Sequence, residues 1–145
     1  MMADDTVVCD ASVSAKWVLR EDLSDVALDL LEQWAVEGVE ISVPPLWEYE
    51  LDSIIRHHAY RGELLVEDVA RAKMELEVAG VTIKYLPATR SRAAEIASQA
   101  NQRRVYDSVY AAHAEAEDCD LWTADHAYYR AVRGFLSHVR YLGDL

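Results

Sequence analysis

A parallel β-sheet covered by helices on both faces is the fold class this sequence predicts. Two observations carry the prediction. Short β-branched apolar runs alternate along the chain with longer stretches whose apolar residues recur at helical spacing. Glycines and prolines fall between these runs, where elements have to stop. Length sets the scale: 145 residues, 52% of them apolar, suffice for one domain, 1–145, with a sizeable core.

The elements follow in order. Thr6 to Cys9 reads as a strand that ends in Asp10, with a helix from near Ser12. Asp25 to Glu37 places Val26, Leu30, Leu31 and Trp34 at helical spacing, and Gly38 ends it. Val39 to Val43 alternates as a strand does. Pro44-Pro45 opens a long helix from about Leu46 to Tyr60, closed by Gly62. Val66 to Ala79 is amphipathic and stops at Gly80; Val81 to Leu86 is a strand broken by Pro87. Thr89 to Gln102 and the alanine-rich Val105 to Glu117 are helices. Asp120 to Thr123 is a strand, Ala124 to Val132 a helix, and His138 to Leu142 a last short strand. Ligands in such sheets bind beyond the carboxyl ends of the strands, where strand order reverses.

Composition narrows the function. A formal charge of −12 excludes a protein that grips nucleic acid by bulk electrostatics, though not one with local basic residues. No apolar run approaches the ~20 residues of a membrane span. The N-terminus Met1-Met2-Ala3-Asp4-Asp5 has no basic segment of the signal-peptide kind, so a cytoplasmic location is expected. Cys9 and Cys119 read as buried free thiols. There is no internal repeat, no zinc spacing among the five histidines, no phosphate loop and no Gly-x-Ser-x-Gly elbow.

Four carboxylates stand out. Asp10 and Asp125 each follow a strand and precede a helix, which suits a helix cap as well as a site. Asp107 opens a helix and shares a face with Tyr110, Ala111 and Ala114; its plain reading is a first-turn acid that complements the dipole. Glu50 falls inside the apolar stripe of Leu46, Trp47, Leu51, Ile54 and Ile55, while Glu48 and Asp52 project from the far side. A carboxylate on a core-facing stripe costs free energy unless it is paired, protonated or metal-bound. Acids that converge on one sheet edge tolerate one another when a cation sits among them, and oxygen-only donors favour Mg²⁺ or Mn²⁺.

The segments Val7-Val8-Cys9-Asp10-Ala11-Ser12, Pro44 through Arg56, Tyr106-Asp107-Ser108-Val109-Tyr110-Ala111-Ala112-His113-Ala114 and Leu121-Trp122-Thr123-Ala124-Asp125 run nearly end to end. In that order they resemble a PIN domain, and within it the VapC-like toxins of toxin–antitoxin pairs. The resemblance implies a three-layer α/β/α sandwich with a mostly parallel sheet. It implies a Mg²⁺- or Mn²⁺-dependent endoribonuclease with an RNA substrate, a cognate antitoxin and a homodimer. It places the acidic site on Asp10, Glu50, Asp107 and Asp125. Asp10, Asp107 and Asp125 would hold one ion, Glu50 would reach a second ion or its water, and Ser12 and Thr123 would support them. Ser53 stands where the family often has Asn. For RNA contacts, Arg103 and Arg104 are the best placed basic residues, ahead of Arg90, Arg92, Arg130, Arg133 and Arg140; Tyr106, Tyr128 and Tyr129 are candidates for base stacking.

Two other readings compete. Asp10-Ala11-Ser12-Val13-Ser14 spells the Asp-x-Ser-x-Ser signature of von Willebrand-type A domains, a non-enzymatic metal-dependent binding module. That reading leaves Glu50 and Asp107 without a role. A PIN-like scaffold without catalysis is the other, and the intact acid set disfavours it.

Overall fold

A computed structural model describes residues 5–145; the reading of the N-terminal residues before them lies outside that range. Five strands form one sheet: β1 (Thr6–Cys9), β2 (Glu40–Val43), β3 (Val81–Ile83), β4 (Asp120–Thr123) and β5 (Val139–Tyr141). Their order is β3-β2-β1-β4-β5, and every pairing is parallel rather than most of them. Seven helices flank the sheet: α1 (Ala11–Val18), α2 (Ser24–Glu37), α3 (Leu46–Tyr60), α4 (Val66–Val78), α5 (Thr89–Gln99), α6 (Tyr106–Ala116) and α7 (His126–Val132). The result is the three-layer α/β/α sandwich.

The chain builds outward from β1 in one direction through β2 and β3, then returns to place β4 and β5 on the other side. Strand order therefore reverses between β1 and β4. Their register aligns Val8 with Leu121 and Cys9 with Trp122. Asp10 N–H continues the ladder by donating to the Trp122 carbonyl at 3.1 Å. Asp10 and the Thr123–Asp125 corner thus leave the sheet side by side at its carboxyl edge. The core strands are apolar on both faces, as a doubly covered sheet requires: Val8, Cys9, Val43 and Leu121 are all fully buried.

Helix boundaries follow local chemistry. α1 starts at Ala11, because Asp10 caps it by accepting from Val13 N–H. α2 ends on Gly38 at φ 71, the left-handed conformation a helix stop uses. α5 stops at Gln99, three residues short of the spacing-based expectation, because Asn101 turns left-handed (φ 54) and Gln102 N–H folds back onto the Ala97 carbonyl at 2.8 Å. β3 is shorter than expected, since its Ile83 is already exposed and the chain leaves the edge of the sheet there. Alanine lets α6 lie close against β1 and β4: Ala111, Ala112 and Ala114 are all buried there. α1 packs on α2, α3 and α4, and Trp47 Nε1 donates to Ser14 Oγ at 2.8 Å to tie α3 to α1. Both cysteines are free, but Cys119 is only partly buried.

Candidate functional site

Four elements deliver carboxylates to one cavity of about 270 Å³ at the carboxyl edge of β1 and β4. Asp10 enters from the end of β1, Glu50 from α3, Asp107 from the first turn of α6 and Asp125 from the start of α7. Ser12, Ser53 and Ile54 complete much of the wall, and no lysine, arginine or histidine lines it. Acids from four chain segments meet there with no basic side chain among them.

Each acid is held differently. Asp10 is 6% exposed. Its Oδ1 accepts from Ser12 Oγ at 2.5 Å and from Val13 N–H at 3.2 Å. Thr123 adds a further hydrogen bond to the same carboxylate. Ser12 is itself fixed by Ala124 N–H, which donates to its Oγ at 2.9 Å. Burial raises the Asp10 pKa to about 6, against those hydrogen bonds, and the Asp107 charge adds to the rise. Asp125 caps α7 through Tyr128 N–H at 3.0 Å, and Thr123 Oγ1 accepts from Asp125 N–H at 3.0 Å. Both Asp10 and Asp125 are therefore caps as well as cavity residues, and the two readings coexist.

Glu50 sits half-buried on α3, beside fully buried Leu51 and Ile55. Its Oε1 accepts from the hydroxyl of Tyr110 at 2.5 Å. Burial raises the Glu50 pKa and the tyrosine bond opposes the rise. The Tyr110 side chain is fully buried and its pKa is pushed far up, first by burial and then by Glu50, so the phenol stays the donor. Asp107 makes no protein hydrogen bond or ion pair among the described residues. Burial raises its pKa to about 6, with Asp125 and Glu50 pushing the same way.

The sequence-based candidates separate clearly. Asp10, Glu50, Asp107, Asp125 and Ser12 line the cavity; Thr123 lies behind it, fully buried. Glu48 and Asp52, on the far side of α3, open onto a different cleft with Lys73 and Leu76. Ser14 is buried at 0% exposure between Cys9 Sγ and Trp47 Nε1, so the Asp-x-Ser-x-Ser reading fails: its third residue never reaches the cavity. Arg103 and Arg104 line an adjoining cavity that shares Glu50 and Asp107 with the first. Ile54 is a wall residue rather than core. The Tyr110–Glu50 bond was not anticipated, although a buried tyrosine hydroxyl usually needs a partner and pointed to one.

The donor set fits a hard divalent cation. It offers oxygen only, it is acidic, and it is short of positive charge. The acids line the walls without closing on one point: among the described residues no group of three or more His, Cys, Asp or Glu side chains is arranged to hold a metal ion by itself.

A family model for the PIN domain matches residues 7–134. The crystal structure of PAE2754 from Pyrobaculum aerophilum superposes with a TM-score of 0.62 at 21% identity, over 99% of this chain and 100% of that one. Likeness at that identity is one of fold. No curated protein matches the chain. No helix among the described residues is long and apolar enough to cross a membrane.

Proposed function

The chain belongs to the PIN domain family, whose members are generally metal-dependent nucleases, and on that premise we propose that it is a Mg²⁺- or Mn²⁺-dependent endoribonuclease, the toxin of a toxin–antitoxin pair. One observation supports the nuclease reading most: four carboxylates from four elements share a cavity at the switch point with no basic side chain in its wall. The toxin assignment rests on the likeness of the acid-bearing segments to VapC-like proteins, and with it come a cognate antitoxin and a homodimer as partners.

Asp10, Asp107 and Asp125 would hold one cation and Glu50 would serve a second or orient water. Bound there, the ion supplies Lewis acidity and charge neutralisation for phosphodiester hydrolysis. The chain's own residues set the geometry. Ser12, Thr123 and Val13 N–H fix the Asp10 carboxylate, and Ala124 N–H fixes Ser12 in turn. Tyr110 keeps one Glu50 oxygen engaged and leaves the other free to orient a water. Asp107, without a protein partner, is the acid most free to turn towards a ligand. Ser53 lines the wall and offers a hydroxyl where the family often has an amide.

The test is cleavage of single-stranded RNA with Mg²⁺ or Mn²⁺, with and without chelator, by wild type and Asp10→Asn. Asn caps a helix about as well as Asp, so the variant spares the cap. Loss of cleavage in the variant and in chelator supports the reading; equal cleavage by both proteins removes it. Co-purification with the product of a neighbouring reading frame tests the toxin role separately.

A further inference from the structure

We propose that the cavity next to the acids is a nucleotide subsite, which seats one unstacked nucleotide of a single-stranded RNA beside the bond to be cut. The inference deepens the nuclease reading and rests on it. The cavity, about 300 Å³, is lined by Gln102, Arg103, Arg104 and Tyr106, and it shares Glu50 and Asp107 with the acid cavity. The two cavities therefore adjoin at these two acids.

Arg103 and Arg104 are two of six basic side chains outside any ion pair among the described residues, and of those six they are the two that line the cavity beside the acids. Eight of the chain's 14 lysines and arginines stand in ion pairs with carboxylates. Arg103 and Arg104 stand in none, and neither makes a hydrogen bond or ring contact among the described residues, although Glu50 and Asp107 share their cavity. In a chain of net charge −12, two adjacent guanidinium groups left free beside an acid cluster suit an anion brought from outside. Guanidinium matches phosphate bidentately.

The other two lining residues suit the base. Tyr106 is 51% exposed and its ring stacks on no other aromatic. An exposed ring of this kind takes the face of a base that has left its own stack. Gln102 donates through Nε2 to the Ala100 carbonyl at 3.3 Å, which leaves its amide oxygen for a base edge. The segment is braced: Asn101 closes α5 in the left-handed region and Gln102 N–H is bonded to the Ala97 carbonyl at 2.8 Å. Phosphate, stacking face and amide thus sit in one short loop. A base-paired duplex keeps its bases stacked and presents no face to Tyr106, so the subsite selects single strands.

The experiment is fluorescence anisotropy of a labelled single-stranded RNA 12-mer and of its duplex, with Ca²⁺ replacing Mg²⁺ to suppress turnover. It compares wild type with Arg103→Ala/Arg104→Ala and with Tyr106→Leu. The double variant should bind about tenfold or more weakly, and its salt dependence should flatten by about 1.4 in log–log slope, the share of two single-strand phosphate contacts. Tyr106→Leu should bind about tenfold more weakly with the slope unchanged. Duplex bound as tightly as single strand, or both variants binding like wild type, overturns the subsite. Wild-type cleavage in Mg²⁺ or Mn²⁺, run alongside, keeps the two ideas apart: absent cleavage fails the nuclease reading, whereas cleavage with unaffected binding in the variants fails the subsite alone.

Discussion

The two ends of α6 treat carboxylates in opposite ways. Asp107 sits in the first turn, where the helix dipole favours a negative charge, yet its pKa is raised. Glu117 sits at the last turn's C-cap, where the dipole disfavours one, yet its pKa is lowered. Local partners account for the inversion, since a dipole contributes only ~0.3–1 kcal/mol at such positions. Burial pulls Glu117 up, but Ser42 Oγ donates to it at 2.9 Å and Lys84 Nζ pairs with it at 3.1 Å, and together they prevail. Lys84 also reaches Glu40 at 2.7 Å, and Ser42 Oγ lies 2.8 Å from buried His113 Nε2. Burial lowers the His113 pKa, which keeps the ring neutral inside this network. At Asp107 the neighbours are burial and two more acids, with no cation among them. One end of the helix pairs its acid with a cation; the other gathers acids in a cavity whose wall holds none.

The largest effect should come from the incomplete end. Asp107→Asn should lower nuclease activity at least to the upper end of the ~10–100-fold lost when a metal ligand's hydrogen-bonding partner is removed. It should leave the metal-free protein no less stable at pH 7.5, because it deletes a disfavoured charge. A calorimetric scan and a cleavage assay on the same preparation read both. A clear fall in Tm would instead make Asp107 a structural acid.

Tyr110→Phe comes next. It frees Glu50 from its one protein hydrogen bond and should cost activity about tenfold, with a stability loss of about 1 kcal/mol. Activity at the wild-type level would remove Tyr110 as a positioning residue.

Lys84→Met probes the complete end. It leaves Glu117, 18% exposed, with Ser42 and the neutral ring of His113. The loss should be about 1–2 kcal/mol, between the values for exposed and buried pairs, or a Tm lower by about 2–6 °C. Cleavage per folded molecule should not change.

The smallest effect is with pH. Asp10 and Asp107 have folded pKa values of about 6 against 3.8 for the ordinary side chain. The folded state therefore binds their protons more tightly than the unfolded state does. Between those values stability falls as pH rises. Acidification from pH 7.5 to 5.5 should therefore stabilise the metal-free protein through these two acids, while His113, whose folded pKa is lowered, opposes the gain. The wild-type Tm should rise relative to that of Asp107→Asn as pH falls, and cleavage, which needs the ionised acids, should fall over the same range. A wild-type Tm that falls relative to the variant's in that window would contradict the raised values.

Much of the fold was legible because period and punctuation agree. Strands β1, β2 and β4 and helices α2 and α3 lie within a residue of where alternation, helical spacing and Gly38 or Pro44-Pro45 put them. Ends governed by three-dimensional contacts were not: the stop of α5 depends on a left-handed Asn101, and β3 shortens where it leaves the sheet. The meeting of the four acids could be anticipated because Asp10 and Asp125 follow neighbouring strands, and Glu50 carries charge on an apolar stripe. What sequence spacing could not supply was orientation. It offered Ser12 as support for the acids and Ser14 only through the Asp-x-Ser-x-Ser signature, without showing that the two-residue step between them on α1 turns Ser14 into the core. It also gave no sign that Tyr110, sixty residues from Glu50, would hold its carboxylate.

The most direct test of the central claim is a thermal-shift titration of wild type and of Asp10→Asn with Mn²⁺ at pH 7.5. The acids of the cavity, if they bind a cation, should raise the wild-type Tm steadily with the logarithm of free Mn²⁺ above its Kd, and the variant should respond far less. An equal rise in both proteins, or none in wild type, would show that these carboxylates do not share a divalent ion.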